Sequence, residues 1–170
     1  MKFNFQALKA IYLHEMDRFR RTLTQSLLSP VLSTSLYFIV FGSVIGGYVQ
    51  KIDGISYGSY IVPGLLMLTL LTQSISNTSF GIFFPKFNGT IYEILAAPIS
   101  TFEVVLAFVG AGATKTLIVG VMIFITSMFF VDVEVKYPLL MIFLLVLVSF
   151  TFALFGFLIG LMSTNFEQMS

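Results

Sequence analysis

Long apolar stretches dominate the chain, and four of them have the length of a membrane-spanning helix. A helix of about 20 apolar residues crosses a hydrocarbon core about 30 Å thick. None of the stretches shows the alternation of a membrane β-strand, so we predict an all-α, polytopic transmembrane bundle. Ser29 and Pro30 predict the start of the first span, as N-cap and first helical residue, and Pro138 is placed to start the fourth. The predicted spans are residues 30–49, 60–84, 102–131 and 138–162.

Residues 1–29 predict an amphipathic helix that lies in the membrane interface. Such a helix places its apolar side in lipid and its cations near anionic headgroups. Asp17 and Arg21 have the spacing of an i,i+4 ion pair on its polar face. The alternative is an ordinary helix packed on another domain. The apolar face, with spacings of three or four, contains Phe5, Leu8, Ile11, Tyr12, Met16, Phe19, Leu23 and Leu27. The polar face contains Lys9, His14, Asp17, Arg18 and Arg21.

The positive charges are unevenly distributed between the loops, and their distribution predicts an orientation. Six Lys and Arg residues lie before the first span or between the second and third, against two in the other loops. Positive charge marks the cytoplasmic side. We therefore expect a multi-pass membrane protein whose N-terminus and loop 85–101 face the cytoplasm. The six are Lys2, Lys9, Arg18, Arg20, Arg21 and Lys86, and the two are Lys51 and Lys136.

Composition excludes most kinds of chemistry. The chain is 57% hydrophobic and only 10% charged, whereas a soluble domain carries about 25% charged residues, so a soluble enzyme is excluded. A formal net charge of +1 offers no basic surface for nucleic acid. The chain has no cysteine and one histidine, His14. We therefore expect no metal site and no cofactor.

The loop between the second and third spans predicts a short helix. Thr90 and Glu93 have the spacing of a capping box, and Pro98 ends the helix. A second capping box, Ser100 with Glu103, starts the third span. The loop is either an interfacial turn or a docking element for a cytoplasmic partner, because it is too apolar for a solvated connector. Its small and apolar residues are Ile91, Ile94, Leu95, Ala96, Ala97 and Ile99.

Three polar residues stand out inside the predicted spans. Lys115 is the ionisable residue deep in a span, where a lysine costs roughly 2.5–3.5 kcal/mol on insertion scales. It either lines a substrate path or is buried with a structural partner. Gln73 and Asn77 are i,i+4 neighbours in a cluster of serine and threonine on the second span. They either line a substrate path or hydrogen-bond to a neighbouring helix, since unsatisfied polar groups are costly in lipid.

Small residues recur at helical spacing within the spans and predict close helix packing. They are Ala107, Ala111 and Thr114, Gly112, Thr116 and Gly120, the pair Gly42 and Gly46, and the pair Gly156 and Gly160. The run Gly110–Thr116 does not form a Walker A loop, because Thr114 stands where that motif requires glycine and the run lies inside a span.

The chain resembles the permease subunit of ABC-2 type ATP-driven exporters over its whole length. The most specific strings are Pro63-Gly64-Leu65, at the opening of the second span, and Leu95-Ala96-Ala97-Pro98-Ile99. Further matching strings are Phe19-Arg20-Arg21, Leu36-Tyr37-Phe38-Ile39-Val40-Phe41-Gly42 and Ile91-Tyr92-Glu93-Ile94.

The resemblance implies a permease dimer whose short cytoplasmic helix docks on a separate ATP-binding cassette ATPase subunit. The residues it assigns to this coupling are Thr90, Ile91, Tyr92, Glu93, Leu95, Ala96 and Pro98. Relatives often carry arginine where this chain has Lys115. Family members usually have six spans, and Thr164–Ser170 looks like the approach to a fifth. We therefore expect residues 1–170 to be one incomplete, C-terminally truncated transmembrane domain.

The expected function is export of an unknown substrate by alternating access, with no chemistry on this chain. The alternative is a small four-span, ion-coupled exporter. Such an exporter normally needs a carboxylate deep in the membrane, and Glu103 lies only at a span end. An integral-membrane enzyme would need carboxylate pairs, metal-binding histidines or a serine–base pair in the spans, which the sequence lacks. Drugs, polysaccharides and lipids all remain open as substrates.

Single-cysteine labelling tests the predicted orientation in this cysteine-free chain. We expect Ser56→Cys to react with a membrane-impermeant maleimide added outside intact cells. Asn88→Cys should react only after the membrane is permeabilised, because its loop faces the cytoplasm. The cysteine-free parent is the control, and labelling of Asn88→Cys but not Ser56→Cys in intact cells would contradict the orientation.

Overall fold

The structure is a computed structural model that describes residues 3–45, 51–52, 54–133 and 135–169. Its helices are α1 (Phe5–Arg21), α2 (Leu23–Tyr37), a π-helix (Phe38–Ile45), α3 (Tyr57–Phe87), α4 (Ile91–Ala96), α5 (Thr101–Phe130), α6 (Pro138–Met162) and a 3-10 turn (Phe166–Met169). Two strands of two residues each, β1 (Lys51–Ile52) and β2 (Ile55–Ser56), pair antiparallel between the π-helix and α3.

Four helices are long and apolar enough to cross a membrane, which confirms the predicted all-α transmembrane bundle. They are Leu23–Phe41, Tyr57–Phe87, Thr101–Phe130 and Pro138–Met162. The third and fourth agree with the predicted bounds to within one residue, and Pro138 lies in the first turn of α6 as expected. The second span is longer than predicted at both ends.

The first span begins earlier than predicted. Pro30 is buried inside α2 and does not mark its start, so the prediction from Ser29-Pro30 was wrong. A proline removes one backbone hydrogen bond, and membrane helices tolerate this when their surroundings satisfy the freed groups. The helix is interrupted at Thr22, between α1 and α2. The Thr22 hydroxyl donates to the carbonyls of Arg18 and Phe19 at 3.3 Å each. The predicted end of this span at residue 49 lies outside the described residues.

Helices α3, α5 and α6 pack against one another and form the centre of the bundle. α3 contributes a stripe with one buried residue per turn: Gly58, Val62, Leu66, Leu70, Ser74, Thr78 and Ile82. α6 buries one narrow face: Leu145, Ser149, Ala153, Gly156, Phe157 and Gly160. The rest of α6 exposes large apolar side chains. This pattern fits a helix with one face on the bundle and the others in lipid.

The predicted small-residue contacts are confirmed where α6 crosses α3. A Cβ atom added to Gly156 would lie 2.5 Å from the carbonyl oxygen of Ile75. One added to Gly160 would lie 2.5 Å from the carbonyl oxygen of Ser79. Close approach also lets the Ser74 hydroxyl donate to the Ser149 carbonyl at 2.6 Å. The Gly42 and Gly46 pair lies partly outside the described residues.

Lys86 fastens the end of α6 to the end of α3. Its Nζ donates to the carbonyls of Leu161 at 2.7 Å and Ser163 at 2.8 Å. The last carbonyls of a helix have no partner inside the helix, and a cation is well suited to bind them. The ammonium group therefore caps α6 and fixes the point where the chain leaves the bundle.

The helix contact at Gly156 generates a stability prediction. Gly156→Ala should lower the free energy of unfolding by about 1–3 kcal/mol, because the added methyl group meets backbone atoms that cannot move aside. Gly110→Ala is the matched control, since nothing lies within 4 Å of a Cβ atom there. Thermal unfolding in detergent, followed by circular dichroism, measures both. Equal melting temperatures for the two variants would contradict the packing.

Candidate functional site

Helix α1 runs beside the first half of α5, in the same direction. Three polar contacts join the two helices. The Asn4 amide donates to the Glu103 carboxylate, the Tyr12 hydroxyl donates to Thr114 Oγ1 at 3.0 Å, and Lys115 Nζ donates to Glu15 Oε2 at 2.8 Å. Asn4 and Glu15 are 11 residues apart along the chain, and their partners Glu103 and Lys115 are 12 residues apart. α1 is therefore amphipathic as predicted, but its less exposed side packs on α5, whereas the prediction of an interfacial helix placed that side in lipid.

Glu15 and Lys115 form a buried ion pair, and Arg18, whose side chain is 32% exposed, adds a second cation. Glu15 is 2% exposed and Lys115 3% exposed. Glu15 Oε2 accepts from Lys115 Nζ at 2.8 Å and lies 2.9 Å from an Arg18 guanidinium nitrogen. The second carboxylate oxygen, Oε1, has no hydrogen-bond partner among the described residues. We call this group the ion centre.

Glu15 is not among the site residues predicted from the sequence. The sequence predicted no carboxylate deep in the bundle, and the structure corrects this. The sequence does contain a pattern that indicates a buried Glu15. This residue lies three positions after Tyr12 and four before Phe19, on the apolar face of α1. A charge on such a face, together with an unpaired lysine in a span, indicates a buried pair.

The other charges of α1 stay outside the ion centre. His14 is exposed, as predicted for the polar face. The predicted pair of Asp17 with Arg21 is replaced, within the described part of α1, by the pair of Arg18 with Glu15. Glu15 and Arg18 are three residues apart, which also brings their side chains together on a helix.

A cavity of about 220 Å³ adjoins the ion centre, between α1, the start of α2, α3 and α5. It is lined by Arg18, Phe19, Thr22, Ser26, Ser76, Asn77, Phe80 and Lys115. The structure thus brings two of the predicted residues, Asn77 and Lys115, to one cavity. Gln73 lies one turn away, where its side-chain oxygen accepts from Asn77 Nδ2 at 3.4 Å.

The short helix α4 presents an exposed apolar surface. Tyr92 is 73% exposed and Leu95 66% exposed. The predicted coupling residues Glu93, Ala96 and Pro98 are exposed as well. On the opposite side, the half-buried Ile91 and Ile94 pack against the hydrophobic core formed by α3, α5 and α6. Ile91 therefore packs α4 against the core and does not belong to its exposed surface.

The two predicted capping boxes have different outcomes. The one at Ser100 is confirmed, since its hydroxyl accepts from the Glu103 amide at 3.3 Å and Glu103 Oε2 accepts from the Ser100 amide at 2.7 Å. The one at Thr90 is wrong. Its hydroxyl donates instead to the Pro85 carbonyl at 3.4 Å. An N-cap residue needs extended backbone angles, but Thr90 has φ −66° and ψ −13°, which are helical.

The start of α1 is attached to the connection between α4 and α5. The Asn4 side-chain amide donates to the Pro98 carbonyl at 3.3 Å, and its backbone amide donates to Glu103. Glu103 thus binds both the N-cap Ser100 of α5 and the N-cap Asn4 of α1. We call Asn4, Pro98, Ser100 and Glu103 the N-terminal junction. It joins α4 to the helix that carries Glu15.

Four apolar helices of membrane-spanning length, a buried ion pair between α1 and α5, and a short exposed helix between two spans define a polytopic membrane protein. The family model for the ABC-2 type transporter matches residues 6–170. The chain belongs to the ABC-2 type transporter family.

Named relatives come from enteric bacteria. The chain is 37% identical over 164 residues to the inner membrane transport permease YadH of Escherichia coli K12. The identity is the same for YadH of Escherichia coli O157:H7 and of Shigella flexneri. Each alignment covers 96% of this chain and 64% of the relative, so the chain spans just under two thirds of the length of these relatives. No solved structure matches the chain.

The ion centre generates a prediction about stability. Glu15→Gln should lower the free energy of unfolding by about 3–5 kcal/mol, because it leaves the buried Lys115 without its counter-charge. Replacing both partners, as in Glu15→Leu with Lys115→Leu, should restore most of this loss. Asp17→Asn, at an exposed carboxylate on the same helix, is the control. Thermal unfolding in detergent that is equal for Glu15→Gln and Asp17→Asn would contradict the buried pair.

Proposed function

We propose that the chain is the permease part of an ATP-driven exporter. It moves its substrate outward by alternating access, while a separate ATP-binding cassette subunit binds and hydrolyses ATP. The N-terminus and α4 lie on the cytoplasmic side of a bacterial inner membrane, and two permease copies form the pathway. Membership of the ABC-2 type transporter family supports this proposal, and the exposed surface of α4 is the observation that carries it.

The form of α4 suits a docking element. A helix of six residues does not hold on its own in water, because isolated helices shorter than about 12–15 residues are marginal. Here Ile91 and Ile94 pack it against the bundle, while Tyr92 and Leu95 remain open to a partner. An exposed aromatic and an exposed aliphatic side chain on a rigid base are typical anchors of a protein interface.

The N-terminal junction connects α4, through α1, to the ion centre. A displacement of α4 acts on Pro98 and Ser100, and through Glu103 on both α5 and the start of α1. Because packed helices move as rigid bodies, α1 would carry the displacement toward Glu15 and the cavity beside it. ATP binding on a partner docked at α4 would thereby change the packing around the ion centre.

The ion-coupled exporter remains the second candidate because of Glu15. The sequence argument against it was the lack of a deep carboxylate, and Glu15 is one. Its carboxylate is committed to Lys115 and Arg18, and the family to which the chain belongs favours the ATP-driven mechanism.

Leu95→Asp tests the docking role of α4. In the full-length protein expressed with its ATPase subunit, we expect this change to abolish co-purification of the ATPase and substrate transport in vesicles. A buried charge in an apolar contact is strongly unfavourable. Asn88→Asp is the matched control, because it adds the same charge at an exposed position of the same loop.

Both variants should elute as folded protein in size-exclusion chromatography, since neither residue is buried. Normal ATPase binding and normal transport by Leu95→Asp would show that α4 is only a connector.

A further inference from the structure

We propose that the cavity beside the ion centre binds the phosphate group of an amphiphile. The cavity measures about 220 Å³, and a water molecule in the liquid occupies about 30 Å³. The space therefore exceeds that of one or two structural waters and suits a small headgroup. The inference concerns binding and does not depend on ATP-driven export.

Charge favours an anion in this cavity. Arg18 and Lys115 line it, and Glu15 balances only one of the two positive charges. Lys115 Nζ has three donors and the Arg18 guanidinium has five. Each directs a nitrogen to Glu15 Oε2, and further donors remain for a ligand. The Arg18 side chain is 32% exposed, so its positive charge is accessible to an anion in the cavity.

The polar wall favours phosphate among the possible anions. Ser76 brings a hydroxyl group to the cavity and Asn77 an amide, whereas the hydroxyls of Thr22 and Ser26 already donate within the chain. Phosphate offers several oxygen atoms to such donors, and arginine binds it through two parallel hydrogen bonds. A carboxylate has fewer oxygens and would leave part of this wall without a partner.

The apolar wall indicates that the phosphate belongs to an amphiphile. Phe19 is buried beside Arg18, and Phe80 lies at the cavity with part of its ring exposed on the outer surface of α3. An acyl chain can lie against such rings while the headgroup occupies the polar side. Asn77 precedes Lys86 by nine residues of α3, or about 14 Å at 1.5 Å per residue. The cavity thus lies below the level of the α6 cap, where a lipid could enter from the side.

Lipid retention on the purified full chain tests the proposal. The protein is incubated with detergent micelles that contain phosphatidylglycerol or diacylglycerol with the same acyl chains. Native mass spectrometry then counts the lipids that remain bound. We expect retention of phosphatidylglycerol and little retention of diacylglycerol, which has the tails without the phosphate.

Two variants locate the binding in the cavity. Arg18→Gln should weaken phosphatidylglycerol retention about tenfold, the effect of losing one charge-assisted hydrogen bond. Arg20→Gln is the matched control, because Arg20 is exposed on the same helix and does not line the cavity. Asn77→Leu should also weaken retention, and it leaves the ion centre unchanged. It therefore separates a binding effect from a folding effect of Arg18→Gln.

Competition with inorganic phosphate distinguishes the two sources of the group. Displacement of the lipid only at high phosphate concentration supports a lipid phosphate as the occupant. Efficient displacement at low concentration supports the same site with a soluble phosphate as its ligand. Equal retention of the two lipids, or equal retention by Arg18→Gln, Asn77→Leu and Arg20→Gln, would overturn the proposal.

Discussion

A positive charge halfway along the most buried span is the constraint on which the N-terminal half of the structure depends. In α5, 61% of the most apolar window is buried, against 28% in α3 and α6. A lysine in such a helix needs a counter-charge, and no residue of α5 supplies one near Lys115. α1 brings Glu15 to it, and this fixes α1 alongside α5. The contacts of Tyr12 and Asn4 with α5 follow from that alignment.

The alignment of α1 connects the surface of the protein with its interior. One end of the helix is held where α4 meets α5, and the other end forms a wall of the cavity. An exposed short helix and a buried ion pair are thereby connected through one helix. Packing and three polar contacts hold that helix against α5.

The spans were predictable because hydrophobicity is a property of single residues summed along the chain, and α5 and α6 agree with the prediction to within one residue. Capping-box motifs were less reliable predictors, because a cap forms only where the backbone angles of the N-cap residue allow it. The same motif caps α5 at Ser100 but not α4 at Thr90, since only Ser100 has extended backbone angles. The burial of Glu15 was not predicted, because it depends on a contact with Lys115, which is 100 residues away in the sequence. Pairings of this kind require the fold.

The separation of these two charges along the chain has a consequence for biogenesis. Synthesis proceeds from the N-terminus, so Glu15 and Arg18 exist well before Lys115 leaves the ribosome. The carboxylate that pairs with Lys115 in the folded protein is therefore made about 100 residues before the lysine itself.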